Sequence, residues 1–386
     1  MRTRRLLLWL LCAGSAFALG AVLDRRLPRS AEAVEASLRD SLREPDPLAR
    51  VSQLARASSR VRAQNTSAVR KLLESEPPGE LESRMLAHAW GRADTANALR
   101  DAQSLTPQRS GLLEEIAYAS ALRDPDATLD ALRTSRALER RLATMLVRGW
   151  AQTPDFRSAT GYVESVEDPG VQQQLMGWIA LARLERDGPE AVFRWAEEIS
   201  EDAPHRFKRL AHREAARVVA QADPKRAAAW VEASTGRPYA TGTVRIVATK
   251  WVEADPDAAF AWLLSQPAGP ERDQAMKMAF HRWFNRDVKA AGAWLTKAPP
   301  GPALDPAIGI YAPWLALESP EEALAWARRI ENPALRIRCL IRVGQVWLTV
   351  DPVAARAWLA EADLPAEVKA TIDTPARPPA KSAVRG

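Results

Sequence analysis

The sequence has little of what most active sites are built from. Its two cysteines, Cys12 in an apolar run and Cys339 far along the chain, supply neither a disulfide framework nor a thiolate metal site. It has four histidines and no His-Glu-x-x-His pair. His205 and His212 lie seven residues apart, near two helical turns and too far to share one ion; His88 and His281 stand alone. No Gly-x-Ser-x-Gly elbow, phosphate loop or dinucleotide fingerprint occurs. No catalytic residue, metal or cofactor is therefore expected. Glycine (18), tyrosine (4) and phenylalanine (7) are scarce for 386 residues. With Ala, Leu, Arg and Glu abundant, the composition is that of helices rather than strands. The body also lacks an excess of either charge. The net charge is +6, but residues 1–30 carry +5 and residues 373–386 carry +2, leaving 31–372 at −1. A near-neutral body excludes a broad phosphate-binding footprint, and no nucleic-acid partner is expected.

Prolines (28) and tryptophans (14) are present in quantity, and both are placed regularly. Thr243 to Gln266 reads as a helix ending near Trp251, a break at Asp255-Pro256, and a shorter helix carrying Trp262. The second tryptophan of each such unit falls at 230, 262, 294, 326 and 358, a constant step of 32. A fixed period of this size marks an array of helix pairs, each unable to bury its apolar face alone. The sequence predicts an all-α chain, a right-handed α-solenoid of antiparallel helix pairs with repeats of about 32 residues. Asp before Pro starts the second helix: the carboxylate accepts from free first-turn N–H groups, and Pro lacks the donor that would be orphaned there. Trp251 and Trp262, 11 residues apart across the turn, and their counterparts are expected to form a ladder between neighbouring hairpins. The early array is less regular, since Tyr162, Trp195 and Trp230 are spaced 33 and 35.

One long apolar run exists. Residues 6–23 carry no charge and follow a basic end, 1–5. As a helix they would span about 27 Å, close to the bilayer core. They read as a transmembrane anchor, or as a signal segment cleaved after Ala16-Phe17-Ala18. Arg2, Arg4 and Arg5 before the run place the N-terminus in the cytoplasm. The body would then sit in the periplasm, held at a bacterial inner membrane by a single pass. Residues 24–47 read as a stalk or capping helix, 48–365 as the solenoid, and 366–386 as a disordered tail.

Each candidate for chemistry has a structural rival. Asp124-Pro125-Asp126 and Asp255-Pro256-Asp257 resemble metal-binding pieces but fall on the helix-start position. Glu114-Glu115, Glu197-Glu198 and Glu321-Glu322 should diverge on their helices. The loop Ser234–Gly242 reads as an extended connector. One recurrent polar feature is left: Arg213, Arg245 and Lys277 are each 32 apart, with Arg217, Thr249 and His281 one turn later. Stacked, they form a polar, partly basic stripe, a candidate surface for an acidic peptide or protein partner.

The pattern of Trp, two residues, Asp-Pro, small residues, Ala-Trp-Leu, then a Pro-Gly loop and Glu-Arg resembles helical-repeat arrays of bacterial exported proteins. The likeness is to the broad TPR/HEAT-like kind, over about Leu48 to Leu364. It departs from the TPR signature in lacking Leu-Gly and Tyr after the first Trp. The resemblance implies an α-solenoid that binds proteins or peptides, and it carries over no active-site residue. The expected function is a non-catalytic, membrane-tethered, extracytoplasmic interaction scaffold. The alternatives are the superhelical arm of a cell-wall-processing enzyme, of the kind lytic transglycosylases carry, and an α/α-toroid enzyme.

Overall fold

The computed structural model describes residues 31–75, 78–103, 110–200 and 203–374. Within them the chain forms 22 α-helices and no strand, consistent with a helical solenoid. The basic end and the apolar run 6–23 lie outside the described residues. No described helix is long and apolar enough to cross a membrane.

The chain divides into two compact units, Met1–Gly188 and Pro189–Gly386. The first contains α1 (Ala31–Arg43), α2 (Pro47–Ser58), α3 (Thr66–Ser75), α4 (Glu80–Ala93), α5 (Thr95–Ala102), α6 (Ser110–Arg123), α7 (Pro125–Arg133), α8 (Arg136–Trp150), α9 (Phe156–Glu164) and α10 (Pro169–Asp187). The second contains α11 (Pro189–Glu198), α12 (His205–Ala222), α13 (Pro224–Ala233), α14 (Thr243–Trp251), α15 (Pro256–Ser265), α16 (Pro270–Phe284) and α17 (Val288–Lys297). It continues through α18 (Asp305–Leu315), α19 (Pro320–Arg328), α20 (Pro333–Val350), α21 (Pro352–Glu361) and α22 (Ala366–Asp373). Inside each unit every even-numbered helix packs on the next even-numbered one, and each odd-numbered helix packs on at least one even neighbour. This is the stacking that the repeat demands, because a lone hairpin would leave one apolar face in water.

The Asp-Pro breaks do what their chemistry predicts. Asp124, Asp223, Asp255 and Asp351 each accept from a first-turn amide at 3.0 Å, and Asp287 does so at 2.9 Å without a following proline. Ser319 holds the same register position and makes no side-chain cap. Asp124 and Asp255 are therefore caps, and their resemblance to a metal-binding pair is accounted for.

The tryptophan ladder needs a correction. Trp251–Trp262, Trp283–Trp294 and Trp347–Trp358 pack within their own hairpins, with ring centroids 5.8, 6.2 and 5.6 Å apart. Contact with the next hairpin is made by other rings. Phe260 of α15 stacks on Trp283 at 5.5 Å and meets Trp294 at 4.3 Å, and Phe284 of α16 meets Trp314 edge-on at 5.6 Å. Trp251, Trp283 and Trp347 sit in the last turn before the break, so each faces its own returning partner. The aromatics two residues before or one residue after a tryptophan reach the neighbour instead. Polar ties add to this: Trp262 Nε1 donates to Glu232 at 2.7 Å, and Arg286 donates to the Glu253 carbonyl at 2.8 Å.

One boundary also moves. Of the stretch 24–47, read as a stalk or capping helix, residues 31–43 form α1, which buries Val34 and Leu38 against α2 and α3 in the manner of a capping helix. Residues 366–373 of the predicted disordered tail form α22. Ile372 is fully buried, and a Cβ at Gly344 of α20 would meet its Cγ2 at 2.8 Å. Leu364-Pro365 reads as an end, yet the proline opens one more helix, because α20 would otherwise leave its apolar face uncovered. Residues 375–386 lie outside the described residues.

Candidate functional site

The predicted stripe lies on three successive even helices, α12, α14 and α16. Its second row is engaged locally. Arg217 pairs with buried Glu214 at 2.6 Å. The Thr249 hydroxyl donates to the Arg245 and Ile246 carbonyls of its own helix at 2.8 and 3.0 Å, and His281 lies 3.3 Å from Asn285. The first row differs. Arg213 is half-buried, its Nε without an acceptor. Arg245 and Lys277 line two grooves that share Pro270, Arg272 and Gln274.

The groove at Lys277 has a volume of about 860 Å³. It runs over the beginnings of α16, α18 and α20. In the 32-residue register the position after Lys277 is Gly309, where a Cβ would come no closer than 3.5 Å to Leu335. The missing side chain leaves the groove its depth. Pro306, Gly309, Ile310 and Leu335 supply apolar lining, with Cys339 buried behind them. Burial pushes the Cys339 thiol up to about 12, so it is a neutral wall group and not a nucleophile. Arg338 and Arg342, exposed on α20 one turn apart, line the same groove. Of the lining carboxylates, Asp273 is held by Arg272 at 3.2 Å. Asp305, 3% exposed, accepts from the Glu331 and Asn332 amides at 3.0 and 2.8 Å, stitching α18 to the start of α20. Lys277, Arg338 and Arg342 then face Glu331 alone among the lining carboxylates.

Arg338 and Arg342 escape a reading of the sequence organised by register. Their equivalents one repeat earlier are Pro306 and Ile310, so no periodic charge points to them. The available signal was local, two arginines four apart on one helix face, beside an apolar floor.

A neighbouring groove of about 650 Å³ is lined by the loop from Thr235 to Gly242 together with Arg245 and Gln266 to Pro270. The loop is more than an extended connector. Gly236 and Gly242 take φ of 83° and 86°, a short 3-10 turn spans Pro238–Ala240, and Tyr239 packs on His212 at 4.3 Å.

The first unit carries a row that the 32-residue register conceals. His88, Tyr118, Arg148 and Trp178 stand on α4, α6, α8 and α10 at a constant step of 30. His88 Nδ1 lies 2.8 Å from Glu115, and its ring is 6.1 Å from Tyr118. The Arg148 guanidinium sits over Trp178 at 4.4 Å and Tyr118 at 5.6 Å. Burial holds the Tyr118 phenol above its usual value, with Arg148 pulling the other way. A search at period 30 instead of 32 would have found this row.

The remaining candidates resolve structurally. Glu114 turns to Arg141 and Glu115 to His88, so that pair diverges; Glu197 accepts from Trp230. His212 is fully buried between Trp230 and Tyr239. Among the described residues no group of three or more His, Cys, Asp or Glu could hold a metal ion. No protein family matches the chain, and no curated protein or solved structure matches it.

Proposed function

We propose that this chain is a non-catalytic scaffold that binds a protein or peptide partner on the even-helix face of its second unit. Its residues 6–23 anchor it, as a single pass, in a bacterial inner membrane, with the body in the periplasm. On this reading the hairpins of each unit wind in the right-handed sense of TPR/HEAT-like arrays. One observation carries the binding role: the side chains of Arg245, Lys277, Arg338 and Arg342 make no hydrogen bond or ion pair among the described residues, although they line grooves. Long cationic side chains that hold nothing in the fold are available to a partner, and arginine is enriched in protein interfaces.

The test is photocrosslinking of the full chain in its native membrane. A crosslinker at position 277 is expected to capture one discrete partner, and one at exposed Lys225 on α13 to capture none. Equal capture at both positions, or none at either, removes the scaffold reading. Protease added to spheroplasts is expected to cleave the body; protection would overturn the assigned side of the membrane.

A further inference from the structure

We propose that the groove over α16, α18 and α20 binds an extended acidic peptide with carboxylates at alternate positions. The proposal rests on the scaffold reading and gives that surface a ligand.

Three observations lead there. The first is size: about 860 Å³ is within the usual range for a ligand site, about 300–1,000 Å³. The second is charge. Lys277 stands on one helix and Arg338 and Arg342 on another, while Asp273 and Asp305 are engaged by Arg272 and by two backbone amides. The groove therefore offers three unneutralised cations against one free carboxylate, Glu331, and it is complementary to an acidic ligand. The third is spacing. Residues four apart on a helix are displaced by about 6 Å along its axis. Alternate side chains of an extended chain repeat at about 6.6–6.8 Å on one face. Arg338 and Arg342 thus match an acidic-x-acidic segment lying along α20. Lys277, lining the same groove from α16, adds its charge to the positive field that such an acidic segment meets. Gly309 gives the peptide backbone room above α18, and Ile310 and Pro306 give it an apolar floor.

The experiment is fluorescence anisotropy on the full chain in neutral detergent. The probe is a short labelled peptide alternating glutamate with leucine, and its twin carries glutamine for glutamate. The acidic probe is expected to bind, to weaken as salt rises, and to outcompete the twin. Lys277→Glu, and Arg338→Glu together with Arg342→Glu, are expected to weaken it about tenfold or more. Gly309→Leu fills the floor without altering charge and is expected to do the same, while Lys225→Glu leaves binding unchanged. Circular dichroism checks each variant, and Gly309→Ala, whose methyl fits, serves as the folded control. Equal binding of the twin, or wild-type binding by the groove variants, overturns the proposal. So does displacement of the probe by phosphatidylglycerol vesicles but not phosphatidylcholine vesicles, which would make the ligand a lipid headgroup. If the probe fails to bind while the crosslink at 277 persists, this proposal falls and the scaffold reading stands.

Discussion

The two units solve the same stacking problem with different side chains. In the first, the even helices approach until backbone meets backbone. A Cβ at Gly91 would lie 2.5 Å from the Ile116 carbonyl oxygen, and one at Gly149 would lie 2.6 Å from that of Tyr118. Their shared polar row is knitted together, His88 to Glu115 and Arg148 between Tyr118 and Trp178. In the second unit, large rings fill the space between hairpins, and the row position after Lys277 is a glycine with 3.5 Å clearance. A row on the even helices thus holds the fold together in one unit, six or seven residues before the caps at Asp94, Asp124 and Asp155, while another, ten before Asp287 and Ser319, opens a groove in the other. What a row does depends on how closely its neighbours come.

The sharpest way to break this comparison is to remove a ring from the second unit. Trp262 is 8% exposed, and its Nε1 donates to Glu232, which also holds Gln266. Trp262→Ala should destabilise by about 3–5 kcal/mol in urea denaturation. A loss under about 1 kcal/mol would show that rings are not what holds these hairpins. The counterpart in the first unit is Gly149→Ala. Backbone atoms cannot yield as a flexible side chain can, so a cost of about 2 kcal/mol is expected despite the better helix propensity. Gly309→Ala should instead stabilise by about 0.5–1 kcal/mol, since propensity acts there without a clash. Asp124→Ala and Asp255→Ala should each cost about 1 kcal/mol, because capping is the device the units share. A large difference between them would mean that one cap has a second task. The smallest effects compare the polar rows. Arg148→Met should lose about 1 kcal/mol of cation–π stabilisation, and Lys277→Met should stay within about 0.5 kcal/mol by thermal melt. A destabilising Lys277→Met would move that lysine from the binding face to the fold.

Much of the architecture was legible because it rests on short-range chemistry. Asp255-Pro256 starts a helix wherever it stands, and the 32-residue recurrence of Trp reports stacking without any knowledge of distances. The caps at Asp223, Asp287 and Asp351 follow from the same local rule. Less of the candidate site was legible. Lys277 was found by its period, whereas Arg338 and Arg342 lie outside it and share a groove with Lys277 over α18, where Gly309 stands. Period-based reading also missed the 30-residue row from His88 to Trp178, since the tryptophan series sets the register and begins later in the chain. The helix Ala366–Asp373 was missed because nothing near it in sequence shows that α20 needs a cover.

By itself, then, the sequence determined that this chain is helical, where its helices start and turn, and that hairpins must lean on one another. Propensity, capping and periodic burial act within a few residues, and those can be read along a line. Only the tertiary structure decided which rings meet, which arginines are held and which stand free. Those outcomes depend on how near one helix comes to the next. A single absent Cβ, at Gly149 or at Gly309, sets that distance to opposite effect.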